Sequence, residues 1–288
     1  MFVNNKFMKV LLTGVGTPIP SAQCAGPGTC VFSELANVVL QFDVGRATVM
    51  RLHAAGVCPS EITAVFLTHP HHDHVSGLAD LALTRWSVNY RKQFTPLQVY
   101  APRGLCSLFA STVLMPYVGD IVARLHHGSV PQTHQILQVH TFDPTNEPQI
   151  VYSERGVRVY SVLVEHDPVE NAVGYSVDDN GEGHVVISGD TRECYAIERL
   201  IRPGKSTVVH EAMLISSERN GIADYHTDVT ALARQMSRLH VPRLILTHLI
   251  PEASCDEHYE IWEEAVRNGG YENELFIGRD GLIVTTTE

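Results

Sequence analysis

The stretch Thr68-His69-Pro70-His71-His72-Asp73-His74 follows directly on the apolar run Ala64-Val65-Phe66-Leu67. A short apolar run ending in a polar segment reads as a buried strand that delivers its last side chains into a loop. Neutral imidazole and carboxylate are common zinc donors, so a His-x-His-x-Asp-His array this dense points to a metal site. The bland alternative is a solvated His-rich loop or a cloning tag. Tags, however, sit at chain ends and seldom carry an aspartate or follow a hydrophobic strand.

Further metal-competent residues sit at the tips of other apolar runs. His166 follows Val162-Leu163-Val164-Glu165, Asp190 follows Val185-Val186-Ile187-Ser188-Gly189, and His248 follows Leu244-Ile245-Leu246-Thr247. A lone strand-end His is more often a hydrogen-bonded loop residue. With His69, His71, Asp73 and His74, however, these three make a constellation large enough for two sites. His72 fits no slot, because neighbours at a strand end alternate in direction.

Strand-like runs recur at Lys9 to Thr13, Asn37 to Phe42, Leu97 to Tyr100, Val157 to Val164 and Thr207 to Val209, beside those already quoted. Helical patterns lie between several of them. The clearest places Val229, Leu232, Ala233, Met236 and Leu239 on one face, with Thr227 or Asp228 to cap it. Others fall at Ala47 to Ala55, Leu78 to Trp86, Arg192 to Ile201 and Glu257 to Arg267. Early strands are close together and later ones alternate with helices, which predicts an α/β class built as a two-sheet sandwich with outer helices. Gly14-Val15-Gly16 hints at a dinucleotide fold, but Thr17-Pro18-Ile19-Pro20 stands where its third glycine and helix belong.

The 288 residues carry a net charge of -11 and show no basic run, which argues against a general nucleic-acid binder. No composition break divides the chain, so residues 1–288 read as a single domain. Six cysteines are scattered without a C-x-x-C pair, and Cys24 and Cys30 lack a second pair to complete a site. The reading is of reduced thiols in a cytoplasm, with no apolar run approaching the roughly 20 residues that span a membrane.

The sequence resembles the metallo-β-lactamase superfamily, and within it the branch of ribonuclease Z and arylsulfatase-like hydrolases. The likeness rests on Gly14-Val15-Gly16-Thr17-Pro18, Phe42-Asp43-Val44-Gly45, Thr68 to His74, Gly189-Asp190-Thr191, His210-Glu211-Ala212, Tyr225-His226-Thr227 and Leu246-Thr247-His248. It implies a metallo-β-lactamase fold, an αββα four-layer sandwich of two mixed β-sheets with outer helices. It also implies that His69, His71 and His166 hold one Zn2+, that Asp73, His74 and His248 hold a second, and that Asp190 bridges them. Mn2+ or Fe2+ is allowed at one site, because mixed N/O donors select weakly among these metals. Asp73, Glu211 and His226 are the expected catalytic residues. His226 would be the general acid supported by Glu211, although a surface His beside a helix cap and a structural Glu also fit. Asp43 would hydrogen-bond a ligand His, and a turn-forming aspartate accounts for it as well.

Hydrolysis leads, since redox members of the superfamily carry a flavin domain or lack a ligand. The expected substrate is a small phosphodiester or aryl sulfate ester cleaved by a metal-held hydroxide, with nucleic acid an unlikely partner and no membrane expected. A β-lactamase or lactonase, or a non-catalytic regulatory metal binder, is the alternative. Ribonuclease Z proteins hold transfer RNA with a long arm between the residues matching His166 and Asp190. Here that interval has room only for a strand pair, which disfavours tRNA 3' processing. Length has gone instead into residues 86–148, where Met115-Pro116-Tyr117-Val118-Gly119-Asp120-Ile121 resembles arylsulfatase-like members. Trp86, Met115 and Tyr117 are expected as a lid or pocket wall, or else as core or homodimer contacts. His126, His127, His134 and His140 read as surface residues.

Overall fold

The computed structural model describes residues 7–89, 94–131, 135–180, 183–215, 224–250 and 256–286, with side chains in the last span from 259. His134, Gly181 and Cys255 lie outside the described residues. Fourteen strands are described: β1 Lys9–Gly14, β2 Gly28–Ser33, β3 Val38–Phe42, β4 Ala64–Phe66, β5 Leu97–Pro102, β6 Leu137–Phe142, β7 Gln149–Glu154, β8 Val157–Leu163, β9 Val173–Asp179, β10 His184–Ile187, β11 Thr207–Glu211, β12 Arg243–Thr247, β13 Glu274–Ile277 and β14 Ile283–Thr285. The helices are α1 Thr48–Ala54, α2 His72–Val75, α3 Leu78–Val88, α4 Leu105–Thr112, α5 Val118–His126, α6 Tyr195–Leu200, α7 Val229–Arg238 and α8 Asp256–Asn268.

The strands form two mixed sheets, in the orders β14-β1-β2-β3-β4-β5-β6 and β13-β12-β11-β10-β9-β8-β7. Each sheet is antiparallel in one part and parallel in the other; the parallel runs are β3 to β6 and β10 to β13. This is the expected two-sheet α/β sandwich. Parallel strands covered on both faces carry continuous apolar runs. Accordingly β4 is wholly buried, as is the Leu244-Ile245-Leu246 part of β12.

Three apolar layers result. Phe42, Phe66, Tyr175 and Ile245 pack between the sheets. Leu52, Leu78, Leu81 and Trp86 join α1 and α3 to the outer face of the first sheet. Val229, Leu232, Met236 and Trp262 join α7 and α8 to the outer face of the second. Asp228 caps α7, its Oδ1 accepting from the backbone N–H groups of Thr230 and Ala231 at 2.9 Å each. Thr227, the other cap candidate, donates its hydroxyl to the Thr191 carbonyl instead.

Three expectations need correction. Trp86 is fully buried in the outer layer, so it cannot wall a substrate pocket, whereas Met115 and Tyr117 lie exposed on the turn between α4 and α5. His140 is half-buried on β6, stacked on Tyr100 with ring centroids 4.6 Å apart, rather than a plain surface residue. Leu105–His126 spans 22 residues and is long and apolar enough to cross a membrane by length and composition. The chain therefore does hold one segment of spanning length among the described residues, although length and composition alone assign no membrane.

Candidate metal centre

The seven metal-competent residues of the sequence converge at one edge of the two sheets. The loop after β4 and the single turn of α2 bring His69, His71, Asp73 and His74; the loops after β8, β10 and β12 bring His166, Asp190 and His248. Two clusters result, each with its donor atoms within 4.8 Å of one another: His69, His71, His166 and Asp190, and Asp73, His74 and His248. In the first, His71 Nδ1 lies 3.0 Å from His69 Nε2 and 3.3 Å from His166 Nε2. In the second, His248 Nε2 lies 3.4 Å from Asp73 Oδ2. Asp190 Oδ2 reaches both, at 3.7 Å from His69 Nε2, 3.2 Å from His74 Nε2 and 3.4 Å from His248 Nε2. His72 is exposed and belongs to neither cluster.

The local backbone is built to permit this convergence. Gly189, just before Asp190, has φ +63°, and a Cβ there would lie 2.9 Å from the Val173 carbonyl and 3.0 Å from Thr68. Gly45 passes so close to Asp73 that a Cβ would meet its carbonyl oxygen at 2.4 Å. Asp43 and His248 adopt φ of 52° and 60°, conformations L residues hold only when their surroundings over-determine them.

Asp43 is the hub beneath the donors. Its Oδ1 accepts from the Thr68 N–H at 2.8 Å, and its Oδ2 accepts from the Thr68 hydroxyl and His74 Nδ1–H at 2.7 Å each. With its proton given to Asp43, the Thr68 hydroxyl accepts from His69 Nδ1 at 2.9 Å. His166 Nδ1 donates to the Tyr225 carbonyl at 2.9 Å. These contacts fix the tautomers and aim the opposite ring nitrogens into the site. The roles of Thr68 and the Tyr225 carbonyl were not foreseen. A hydroxyl beside a ligand is a weak sequence signal, and a backbone carbonyl leaves none.

Most of the charge states suit a cation. At His74 burial pulls the pKa down, but Asp190 and Asp43 outweigh it and raise it well above the ordinary value, so this ring must give up its Nε2 proton to bind one. Burial, aided by neighbouring imidazoles, lowers the pKa of His69 and of His71 and keeps both neutral. Burial lowers His166 as well. Burial opposes ionisation of Asp190 and Asp73, but the surrounding histidines outweigh it and hold both carboxylates charged. Asp73 Oδ1 is buried without a hydrogen-bond partner among the described residues. Buried polar atoms without partners are costly unless something binds them, and a divalent cation fits this donor set.

Beside the clusters, Glu211 Oε1 accepts from the backbone N–H groups of Thr191 and Thr227 at 3.1 Å each, and its Oε2 accepts from Met213 N–H. The same Oε1 lies 3.0 Å from His226 Nδ1. Burial pulls the His226 pKa down, but the hydrogen bond and charge of Glu211 outweigh it and raise the value above the ordinary 6.5. His226 also approaches Asp190 and His248 closely enough to form a third donor group with them. Cys24 and Cys30 pack in apolar layers instead, and neither joins a donor group among the described residues.

Fold and donor set together define a metal-dependent hydrolase of the metallo-β-lactamase fold. The chain belongs to the family described as "Anti-Pycsar protein Apyc1", which matches residues 8–259. It is also 31% identical over 251 residues to ribonuclease Z of Mycobacterium bovis (strain BCG / Pasteur 1173P2), covering 85% of this chain and 86% of that protein. Ribonuclease Z of Mycobacterium avium (strain 104) is 32% identical over 253 residues, with the same coverage. Among solved structures, the metallo-β-lactamase fold protein YhfI of Bacillus subtilis superposes with a TM-score of 0.75 at 17% identity, covering 97% of this chain and 99% of that one. The short form of human tRNase Z gives 0.71 at 20% identity, covering 97% and 100%.

These relatives overturn two expectations. The missing arm was held to disfavour tRNA 3' processing, yet curated ribonucleases Z align over most of this chain and most of their own length, leaving little room for a long insertion. The acidic net charge was held to make nucleic acid an unlikely partner. Net charge is a global sum, however, and a phosphate can be met by local positive charge, which bound cations would supply. The restriction to small ester substrates falls with these two arguments, and the arylsulfatase expectation draws no support from these relatives.

Proposed function

We propose that this chain hydrolyses phosphodiester bonds of RNA at the 3' side of transfer-RNA precursors, using two zinc ions. The observation that carries this reading is the 31–32% identity to proteins named ribonuclease Z over 85% of the chain. Asp190 within reach of both donor clusters supplies the chemical ground for it.

His69, His71 and His166 would hold one ion, Asp73, His74 and His248 the other, and Asp190 both. Mn2+ or Fe2+ at one position is compatible with these donors. When bound, the pair supplies an activated water and positive charge against the phosphoryl oxygens. The remaining chemistry belongs to the chain. Asp43 and Thr68 hold the rings of His74 and His69 in place. Glu211, anchored by three backbone N–H groups, orients His226 through Nδ1 and leaves Nε2 to carry a proton to the leaving oxygen. Scattered cysteines without a paired motif favour the cytoplasm as its compartment.

Metal-loaded protein should shorten a transfer-RNA precursor bearing a 3' extension, and Asp73→Ala should abolish cleavage together with metal content. A fully metallated protein inert toward such precursors would refute the reading. The family match favours a second reading, action against Pycsar. It is tested by expressing the intact and Asp73→Ala chains in cells carrying that system: relief by the intact chain alone would support it.

A further inference from the structure

His248 enters the second donor cluster from a left-handed backbone, φ 60°, which for a non-glycine residue is held only by outside contacts. Its N–H donates to the Val15 carbonyl at 3.1 Å. Val15 belongs to the glycine-rich loop after β1, and that loop is clasped to a second one, because Gly16 N–H donates to the Ala25 carbonyl at 2.8 Å. One carboxylate then fastens both. Asp280, in the turn between β13 and β14, accepts from Val15 N–H on Oδ1 at 3.1 Å and from Ala25 N–H on Oδ2 at 2.7 Å. Its side chain is 7% exposed and pairs with Arg51 Nε at 2.7 Å. The clasped loop also leans on the second cluster, since a Cβ on Gly26 would lie 2.7 Å from the Asp73 carbonyl. The first cluster is held by other groups, the Thr68 hydroxyl on His69 and the Tyr225 carbonyl on His166. Asp280 lies beyond residues 8–259, where the family match ends.

We propose that Asp280 is a positioning residue for the ion held by Asp73, His74 and His248, acting through Val15 on the backbone of His248. The proposal rests on the metal reading of those three residues. It carries a selectivity that a general stabilising role lacks: loss of the carboxylate loosens one ion and spares the other.

The test titrates the full-length apo chain with cobalt(II) alone and follows the visible absorption. The binding step abolished by His248→Ala identifies the ion in question. Asp280→Ala should weaken that step about 10- to 100-fold, as loss of supporting partners does at metal sites, and alter its absorption bands, with the other step unchanged. Asp280→Asn, which keeps one acceptor and the side-chain volume, should lie between the two and carries the test if the alanine variant does not fold. Equal weakening of both steps, or no change in either, overturns the proposal while leaving the metal reading intact. A wild-type chain that binds no cobalt in a step dependent on His248 overturns both.

Discussion

Glu211 Oε1 sits 3.0 Å from His226 Nδ1 while also accepting from the Thr191 and Thr227 N–H groups, so one oxygen ties the imidazole to the loops after β10 and before α7. The ring is thereby held in a single orientation with its other nitrogen turned away from the glutamate. This is the arrangement a proton donor needs, and it stands directly beside Asp190 and His248.

Replacing His226 by Ala should lower turnover about a hundred- to ten-thousand-fold, the usual worth of a positioned acid, while metal content stays at the wild-type level. Steady-state kinetics paired with metal analysis checks both. Loss of metal along with activity would assign His226 to ligation instead.

The pH profile should follow the same pair. A general acid works when protonated, so activity should fall as pH rises through the His226 pKa, which Glu211 holds above 6.5. Glu211→Gln removes the charge that raises it, so the descending limb should move to lower pH. A limb that does not move means that another group titrates there.

Asp43 supports both clusters, through His74 directly and through Thr68 to His69. Unlike Asp280→Ala, therefore, Asp43→Ala should weaken both ions, by about 10- to 100-fold each. Cobalt titration of the two variants side by side shows whether the effects divide in this way.

His184 offers a stability prediction away from the site. Burial, reinforced by Arg202, lowers its pKa to about 4, while Nδ1 contacts the Ser206 hydroxyl at 2.9 Å. The unfolded chain takes up this proton near pH 6.5 and the folded chain only near 4. Its contribution is therefore complete above 6.5 and lost as pH falls through that window. The loss is on the order of 3 kcal/mol at 1.36 kcal/mol per pKa unit. Denaturant unfolding between pH 7 and pH 4 should show a shallower fall for His184→Gln than for the wild type.

The sequence displayed the donors because each closes an apolar run. Ala64 to Leu67, Val185 to Ile187 and Leu244 to Leu246 are buried on both faces, and such strands leave a continuous apolar signature that marks where the loop begins. It did not display β6 and β7, whose alternating half-exposed residues at sheet edges resemble loop. Nor did it display α4 and α5, because Leu105, Leu108, Val118 and Val122 are exposed, against the expectation that apolar residues mark a buried face. The support beneath the site was hidden for a different reason. Asp280 reaches Val15 across 265 positions of chain, and no local pattern records a contact of that kind. Trp86 stayed open between two places, because an aromatic residue beside a long insert reads equally as pocket wall or core.

Seven donors arranged as two metal positions that share Asp190 should hold two ions per chain, and counting the metal reads this out. Elemental analysis after saturation with zinc and removal of excess should find two ions in the wild-type protein and fewer in Asp190→Ala, with His72→Ala unchanged. One ion or none in the wild type, or two retained in Asp190→Ala, would contradict the account.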